Sequence, residues 1–359
     1  MNERTKRKRK AVSIFKWSIL VLIFLVVLFA EFIAPYSYDK QARSEPNAPA
    51  TSIHFRGPQG NFHFRPFIYS RRMVDPLTRT YEENISEQYP LSLFVNGDEY
   101  SVLGLFSTNV HLFGVAGDSE SSPRVYLLGT DALGRDRFSR ILHAIRFSLI
   151  VCSIGTLLAC LIGIGIGLAS GYANRLIDTM LMGIADTMLA LPALILILAA
   201  RAAFPLELPP TRAAFLLIVI FALVGWAEIA RLARSLVRSM REREFVLAAR
   251  SVGTSELKIL LRHIFPNIAP TLITQATIML PYFLLSEVAL SYLGVGLQEP
   301  APSLGNMLAA ANDLTHLQRH PFLLLSPAFV IFLFVLVTRV LTMNMRSSAA
   351  GRDDAAPTI

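Results

Sequence analysis

The chain has 359 residues, 53% hydrophobic and 17% charged, with a formal net charge of +8 and a mean hydropathy of +0.48. That balance excludes an ordinary soluble domain, in which about a quarter of residues carry charge. It also argues against a nucleic-acid partner, because the basic residues gather beside apolar runs, as membrane topology signals do.

The amino terminus, MNERTKRKRKAVSIFKWSILVLIFLVVLFAEFIAPY, sets Lys6, Arg7, Lys8, Arg9 and Lys10 ahead of an apolar run. Cleavage after Ala34 would need a small residue where Phe32 stands, so the run reads as a retained first span. Segment 1–35 is therefore expected to be a basic cytoplasmic tail and a first transmembrane helix. Segment 36–136 has ordinary polarity and no run of the ~20 apolar residues a spanning helix needs, so an extracytoplasmic insertion is expected there. Within it LSLFVNGDEYSVLGLF places Asn96 and Gly97 between apolar runs, which predicts a β-hairpin turn and a small α/β or β-containing insertion. Its role is open between a membrane-adjacent spacer and a docking surface for a substrate carrier.

Further apolar runs cover 147–169, 180–200, 213–230, 272–293 and 322–341, which with the first makes six predicted spans in an all-α integral membrane fold. Residues 137–345 hold the five-helix core and 346–359 a second cytoplasmic tail. Eight basic residues from Arg231 to Arg262 lie between the fourth and fifth spans, on the same side as the amino-terminal cluster. The segments holding Arg201, Arg212 and Arg319 fall on the other side. Cys152 and Cys160 share one run, roughly 12 Å apart along a helix, and read as buried filler rather than a bridge.

Ahead of the second span, Phe138, Ile141, Leu142 and Ile145 stand at helical spacing opposite Arg137 and Arg140, predicting an interfacial helix entered by bends at Gly129 and Gly134. Gly163, Gly167 and Gly171 recur at every fourth position and predict close approach of another helix. Asp186, near Pro192, and Glu287, near Pro281, are the ionisable residues expected at membrane depth. They either line a translocation path or make hydrogen bonds between spans.

The segment 241–266 interrupts the apolar pattern. Arg231, Arg234, Arg238 and Arg241 form a basic stripe suited to headgroups or an acidic partner. Glu244 then favours the start of a short helix, Ala248 and Ala249 keep one side thin, and Gly253 can end it. Thr254 can cap a second helix with Leu257, Leu260, Leu261 and Ile264 on one face, which Pro266 is expected to end. Such a knob, thin at its bend, fits a groove on another protein, while an amphipathic hairpin lying on the membrane surface is the competing reading.

These residues carry a resemblance. The pattern E-x-x-x-A-A, then glycine, then ILLRHIFPN, is similar to the cytoplasmic loop of integral-membrane subunits of ATP-binding-cassette importers. LGTDALGRDRFSRILHAIRFSL, LSYLGVGLQEPAPSLGNML, DTMLALPALILIL and the APY after the first span resemble the dipeptide and oligopeptide permease family, over most of residues 128–343. Departures are Ala144 in place of the family's usual glycine, an unusual carboxyl tail and a longer insertion. The resemblance implies a binding-protein-dependent importer permease fold and an inner-membrane location. It implies that Glu244, Ala248, Ala249, Gly253 and Pro266 lie in a loop that docks on a separate ATPase. It further implies a homologous permease, two cytoplasmic ATPases and an external solute-binding protein as partners, with peptides, nickel or opine-like solutes as cargo. No cofactor or metal is expected and no catalysis by this chain. No GxxxxGKS loop occurs, and Ser170, although beside glycines, has no histidine within a span to serve as base. An ion-gradient-driven transporter would need midplane ionisable groups, for which Asp186 is the good candidate.

Overall fold

A computed structural model describes residues 25–57, 60–102, 106–115, 122–309, 318 and 321–353. The basic amino-terminal cluster, most of the predicted first span, Arg319 and the last residues of the carboxyl tail lie outside these. The chain divides into two compact units, one running to Phe147 with Leu297–Val330 added, the other comprising Ser148–Gly296 and the residues from Ile331 onward.

In the first unit, helix α1 (Ala30–Ile33) ends at Ala34, whose backbone is extended, as the proline that follows it requires. The chain then builds an antiparallel sheet from β1 (His54–Arg56), β2 (Phe62–Asp75), β3 (Thr80–Val102) and β4 (Phe106–Val115), in that spatial order. Ile68, Val115 and Val125 form its buried centre, covered by Tyr89, Leu91 and Phe113. The predicted turn at Asn96 and Gly97 is not a turn. Strand β3 continues through it, Asn96 pairs with Val110, and the register slips between Asn96 and Tyr100. Gly97 is needed there because a Cβ would sit 2.6 Å from the Cδ2 of His111. The reversals fall instead after Asp75, whose carboxylate accepts from the Leu77 N–H, and between the paired residues Val102 and Phe106.

Helix α2 (Arg137–Tyr172) is continuous over 36 residues, so the predicted interfacial helix is its first part rather than a separate element. Arg137 and Arg140 are buried instead of facing water. After α2 come α3 (Arg175–Ala190) and α4 (Ala193–Ala202), bent by 87°. Leu191 is extended and Pro192 precedes α4, so the predicted third span is broken where proline disfavours helix before it. The chain continues with α5 (Pro210–Arg241), α6 (Glu244–Ser251), α7 (Glu256–Ile259), a π turn (Leu260–Ile264), α8 (Phe265–Tyr292), α9 (Leu304–Ala309) and α10 (Phe322–Asp353). Among the described residues three helical runs are long and apolar enough to cross a membrane: α2, α5 and Glu256–Tyr292. A fourth counts if α3 and α4 are one broken span, and Leu325–Val340 is a shorter apolar stretch.

The glycine spacing in α2 has the predicted consequence. A Cβ at Gly163 would lie 2.5 Å from the Trp226 carbonyl oxygen, one at Gly167 2.5 Å from that of Ala230, and one at Gly171 2.6 Å from Cγ1 of Val237. Helices α2 and α5 thus touch backbone to backbone, the mode that replaces the hydrophobic effect where the surroundings are lipid. Gly225 of α5 makes room for side chains instead: a Cβ there would lie 2.6 Å from Cζ of Phe283 on α8, whose ring stacks on Phe221 at 4.6 Å. Gly167→Leu is expected to cost about 1–3 kcal/mol through overpacking, read as a lower melting temperature of the purified protein. Gly165→Leu, whose Cβ meets nothing within 4 Å, should leave it unchanged.

Candidate functional site

The elbow between α5 and α8 is built on a buried apolar cluster: Ala233 and Val237 from α5, Val246 from α6, then Ile259, Leu260, Ile264, Ile268 and Leu272. Glu244 lies in the first turn of α6 and is exposed, as is Ala248, while Ala249 packs against the cluster. Gly253 has φ +79 and a Cβ there would meet nothing within 4 Å. Backbone conformation, rather than lack of room, reserves the position for glycine. Across this bend Arg250 donates two hydrogen bonds to Glu256, at 2.7 and 3.0 Å, a clamp between α6 and α7 that the sequence reading did not include.

Three expectations for the second half of the elbow are corrected. The cap position falls on Ser255 instead of Thr254, without a side-chain bond. Leu260 and Ile264 point inward, but Leu257 and Leu261 are 66% and 55% exposed. The buried side runs through Ile259, Leu260, Ile264, Ile268 and Leu272. Residues Leu260–Ile264 form a π turn, in which the Phe265 N–H reaches back to the Leu260 carbonyl. Pro266, in the first turn of α8, does not end the helix. A proline lacks its N–H and crowds the carbonyl four residues back, and the wide turn immediately before it accommodates both, so the helical run goes on to Tyr292.

The basic stripe on α5 is largely consumed inside the chain. Buried Asp178, near the start of α3, accepts from Arg234 Nη2 and Arg238 Nη2, each at 2.6 Å, and from the Ser170 hydroxyl. Arg241 donates to the Gly171 carbonyl at 2.8 Å and its guanidinium lies 4.7 Å from the Tyr172 ring centroid. Arg231 faces Asp186 at 3.5 Å. The acidic partner of the stripe is thus α3. Asp186 is exposed rather than buried, and Asp178 is the carboxylate the sequence reading missed. A signal for it exists: Asp-Thr-Met occurs at both 178–180 and 186–188, and two turns of helix bring both aspartates to one side. Glu287 is fully buried and accepts from Ser148 on α2 at 2.9 Å and Ser291 at 2.8 Å.

In the first unit, the stretch around Arg135 and Arg140 meets the one around Glu299 and Pro300. Arg140 donates to Glu299 at 2.8 Å and to the Pro300 carbonyl at 3.1 Å, and Arg135 bonds both Asp131 at 2.7 Å and Glu299 at 2.5 Å. Asp136 caps α2, accepting from the Ser139 N–H at 2.8 Å and its hydroxyl at 2.6 Å. Burial pushes the Asp136 carboxyl up to about 6, against these hydrogen bonds. Among the described residues no group of His, Cys, Asp and Glu side chains could hold a metal ion.

Close-packed apolar helices, a broken helix pair and an outward elbow rooted on two long helices are the parts of a membrane transport subunit. The family model described as "Binding-protein-dependent transport system inner membrane component" matches residues 163–346, and that described as "N-terminal TM domain of oligopeptide transport permease C" matches residues 12–50. The chain belongs to the family of binding-protein-dependent transport system inner membrane components. It is 33% identical over 223 residues to the di/tripeptide transport system permease protein DppC of Pseudomonas aeruginosa, covering 62% of this chain and 71% of that one. It is 36% identical over 220 residues to the dipeptide transport system permease protein DppC of Alkalihalophilus pseudofirmus, covering 61% and 70%. With the oligopeptide transport system permease protein OppC of Bacillus subtilis it shares 33% identity over 200 residues, 56% of this chain and 63% of that one. A solved structure of the inward-facing MetNI methionine ABC transporter aligns with a TM-score of 0.42 at 16% identity, over 57% of this chain and 96% of that chain.

Two measurements probe the ionised groups. The raised pKa of Asp136 means that ionisation opposes folding, so its contribution is most favourable at low pH and is lost as pH rises from about 4 to about 6. The wild type should gain about 2 kcal/mol relative to Asp136→Asn between pH 7 and pH 4.5, measured by chemical denaturation at each pH. Asp178→Asn should cost about 1–3 kcal/mol by weakening charge-assisted hydrogen bonds, seen as a drop in melting temperature.

Proposed function

We propose that this chain is the permease of an ATP-binding-cassette importer that receives peptides or similar small solutes from a solute-binding protein and passes them into the cytoplasm. The observation that carries the reading is the elbow at 241–266. Its apex exposes Glu244, Ala248, Val252, Gly253, Leu257 and Leu261, while its root is buried between α5 and α8. An exposed apolar apex on a rigid root is a docking surface, and separate ATPase subunits are its partners. Closure of an ATPase pair would displace the elbow and shift the equilibrium between inward-open and outward-open arrangements. A homologous permease completes the pore, and six spans place both termini and the elbow in the cytoplasm, with the segment 36–136 outside. Peptide cargo is supported by the named relatives, which are di/tripeptide, dipeptide and oligopeptide permease proteins.

Glu287 acts in packing rather than transport in this reading, because both its serine partners are helix-borne and buried. Asp186, exposed and facing Arg231, sits at the rim of the path.

Gly253→Val is the decisive variant. Valine at φ +79 is strained, although space is open, so the substitution disturbs the shape of the apex without crowding the core. Uptake of a labelled dipeptide by cells expressing the complete importer is expected to fall at least about tenfold, with membrane insertion unchanged. Co-purification of the ATPase subunits should fall in parallel, and a crosslink from Ala249→Cys to an ATPase subunit should form in the otherwise wild-type chain. Normal uptake by the valine variant would overturn the docking role.

A further inference from the structure

Leu25, Phe29 and Phe32 stand four and three residues apart, on two helical turns that meet at Phe29, whose backbone is non-helical (φ −107, ψ 20), while the Phe29 N–H still bonds the Leu25 carbonyl and the Ile33 N–H the Phe29 carbonyl. Leu25 and Phe29 remain 40% and 39% exposed in the folded chain. The opposite face is covered, with Ala30 and Ala34 buried against Leu142 and flanked by Val26, Ile33 and Phe138. This end of the first apolar run therefore has one face on protein and one uncovered aromatic face.

The uncovered stripe continues past the end of the helix. Phe29 and Phe32 have ring centroids 6.5 Å apart, and the ring of Phe94, from β3, lies 6.1 Å beyond that of Phe32. Phe94 is 66% exposed and holds φ +57, a region a bulky side chain enters only at a cost. The pairing of β3 with β4 keeps one register on both sides of Phe94, from Leu91 to Asn96, and slips only between Asn96 and Tyr100, so the unusual backbone is confined to this residue. The strain turns an aromatic ring outward beside the end of a membrane-spanning run. Ala34 and Pro35 close that run, and Tyr36, Tyr38, Asp39 and Lys40 follow. Glu31 pairs with Arg146 at 2.6 Å on the same turn. This is the composition of a headgroup zone, where aromatic rings collect.

We propose that Phe94 is a membrane anchor, inserted with Phe32 into the interfacial zone of the leaflet on the sheet's side, so that the sheet is held against lipid. Lipid is the occupant because Phe94 extends the stripe of Leu25, Phe29 and Phe32, which lies within residues 12–50 that match a transmembrane-domain family model, and because the face is wholly aromatic and aliphatic. The sheet unit rests on the bilayer at this point instead of standing free above it.

The test uses the full chain in the assembled importer, reconstituted in lipid nanodiscs, with Cys152 and Cys160 replaced by alanine. A nitroxide on Phe94→Cys should collide more with oxygen than with a water-soluble nickel chelate, at a depth of roughly 5–10 Å below the phosphates. The same label on Phe64→Cys, in β2, should show the reverse. Free access of the chelate at position 94 would place the ring in water and overturn the proposal. Exclusion of both reagents would also overturn it, because another protein subunit would then cover the face. A second variant separates anchoring from strain. Phe94→Gly relieves the backbone, so an idle ring predicts slower or unchanged hydrogen exchange in β3 and β4. Anchoring predicts exchange at least about threefold faster in nanodiscs, and any other result counts against it.

Discussion

Close approach of two backbones governs the helical unit. Lipid gives no hydrophobic drive for one apolar helix to seek another, so association depends on contact area at short range. Gly163, Gly167 and Gly171 provide it by letting α2 settle against the Trp226 and Ala230 carbonyls and the side chain of Val237. The ion cluster follows from this approach. With the end of α2 held on α5, Ser170 and the Gly171 carbonyl stand where Asp178, Arg234 and Arg241 can use them. The buried carboxylate is tolerable because several donors converge on it, and they converge because the glycines set the spacing. The root of the elbow begins on the same stretch of α5, where Ala233 and Val237 alternate with those arginines.

The features legible in the sequence were those written at short range. Glycine at every fourth position states a helix contact whatever its partner, and the mixed, charged stretch 241–266 announced an elbow between apolar runs. Features that depend on distant residues were not legible in the same way. Asp178 gains its partners 56 and 60 positions away, and Arg140 finds Glu299 159 positions away. Until those are known, the aspartate looks like an ordinary first-turn acid and the arginine like a solvent-facing one. Two local signals were read correctly as chemistry and wrongly as geometry. Asn-Gly permits a tight turn, but His111 occupies the space the glycine leaves. Proline opposes a helix, but the π turn ahead of Pro266 absorbs the conflict, and a widened turn leaves no mark in a hydrophobic pattern.

The first unit shows why the strongest sequence signatures need not be ligand sites. The stretch around Arg135 and Arg140 and the one around Glu299 and Pro300 serve each other, through buried guanidinium groups that would be costly to leave unpaired. Asp136, capping α2 from below the surface, fixes where that helix starts. These residues bear on transport by holding the start of a long helix in place.

The uninterrupted run from Glu256 to Tyr292 has a mechanical meaning. Its 37 residues correspond to about 55 Å of helix, with one end in the elbow and Glu287 near the other. A rod of that length is a lever arm: tilting it by about 10° would sweep its distant tip through roughly 10 Å. In the importer reading proposed above, a displacement at the apex would be carried along this run toward Glu287, past Pro270 and Pro281 inside the helix, so those two prolines set how much of the stroke arrives.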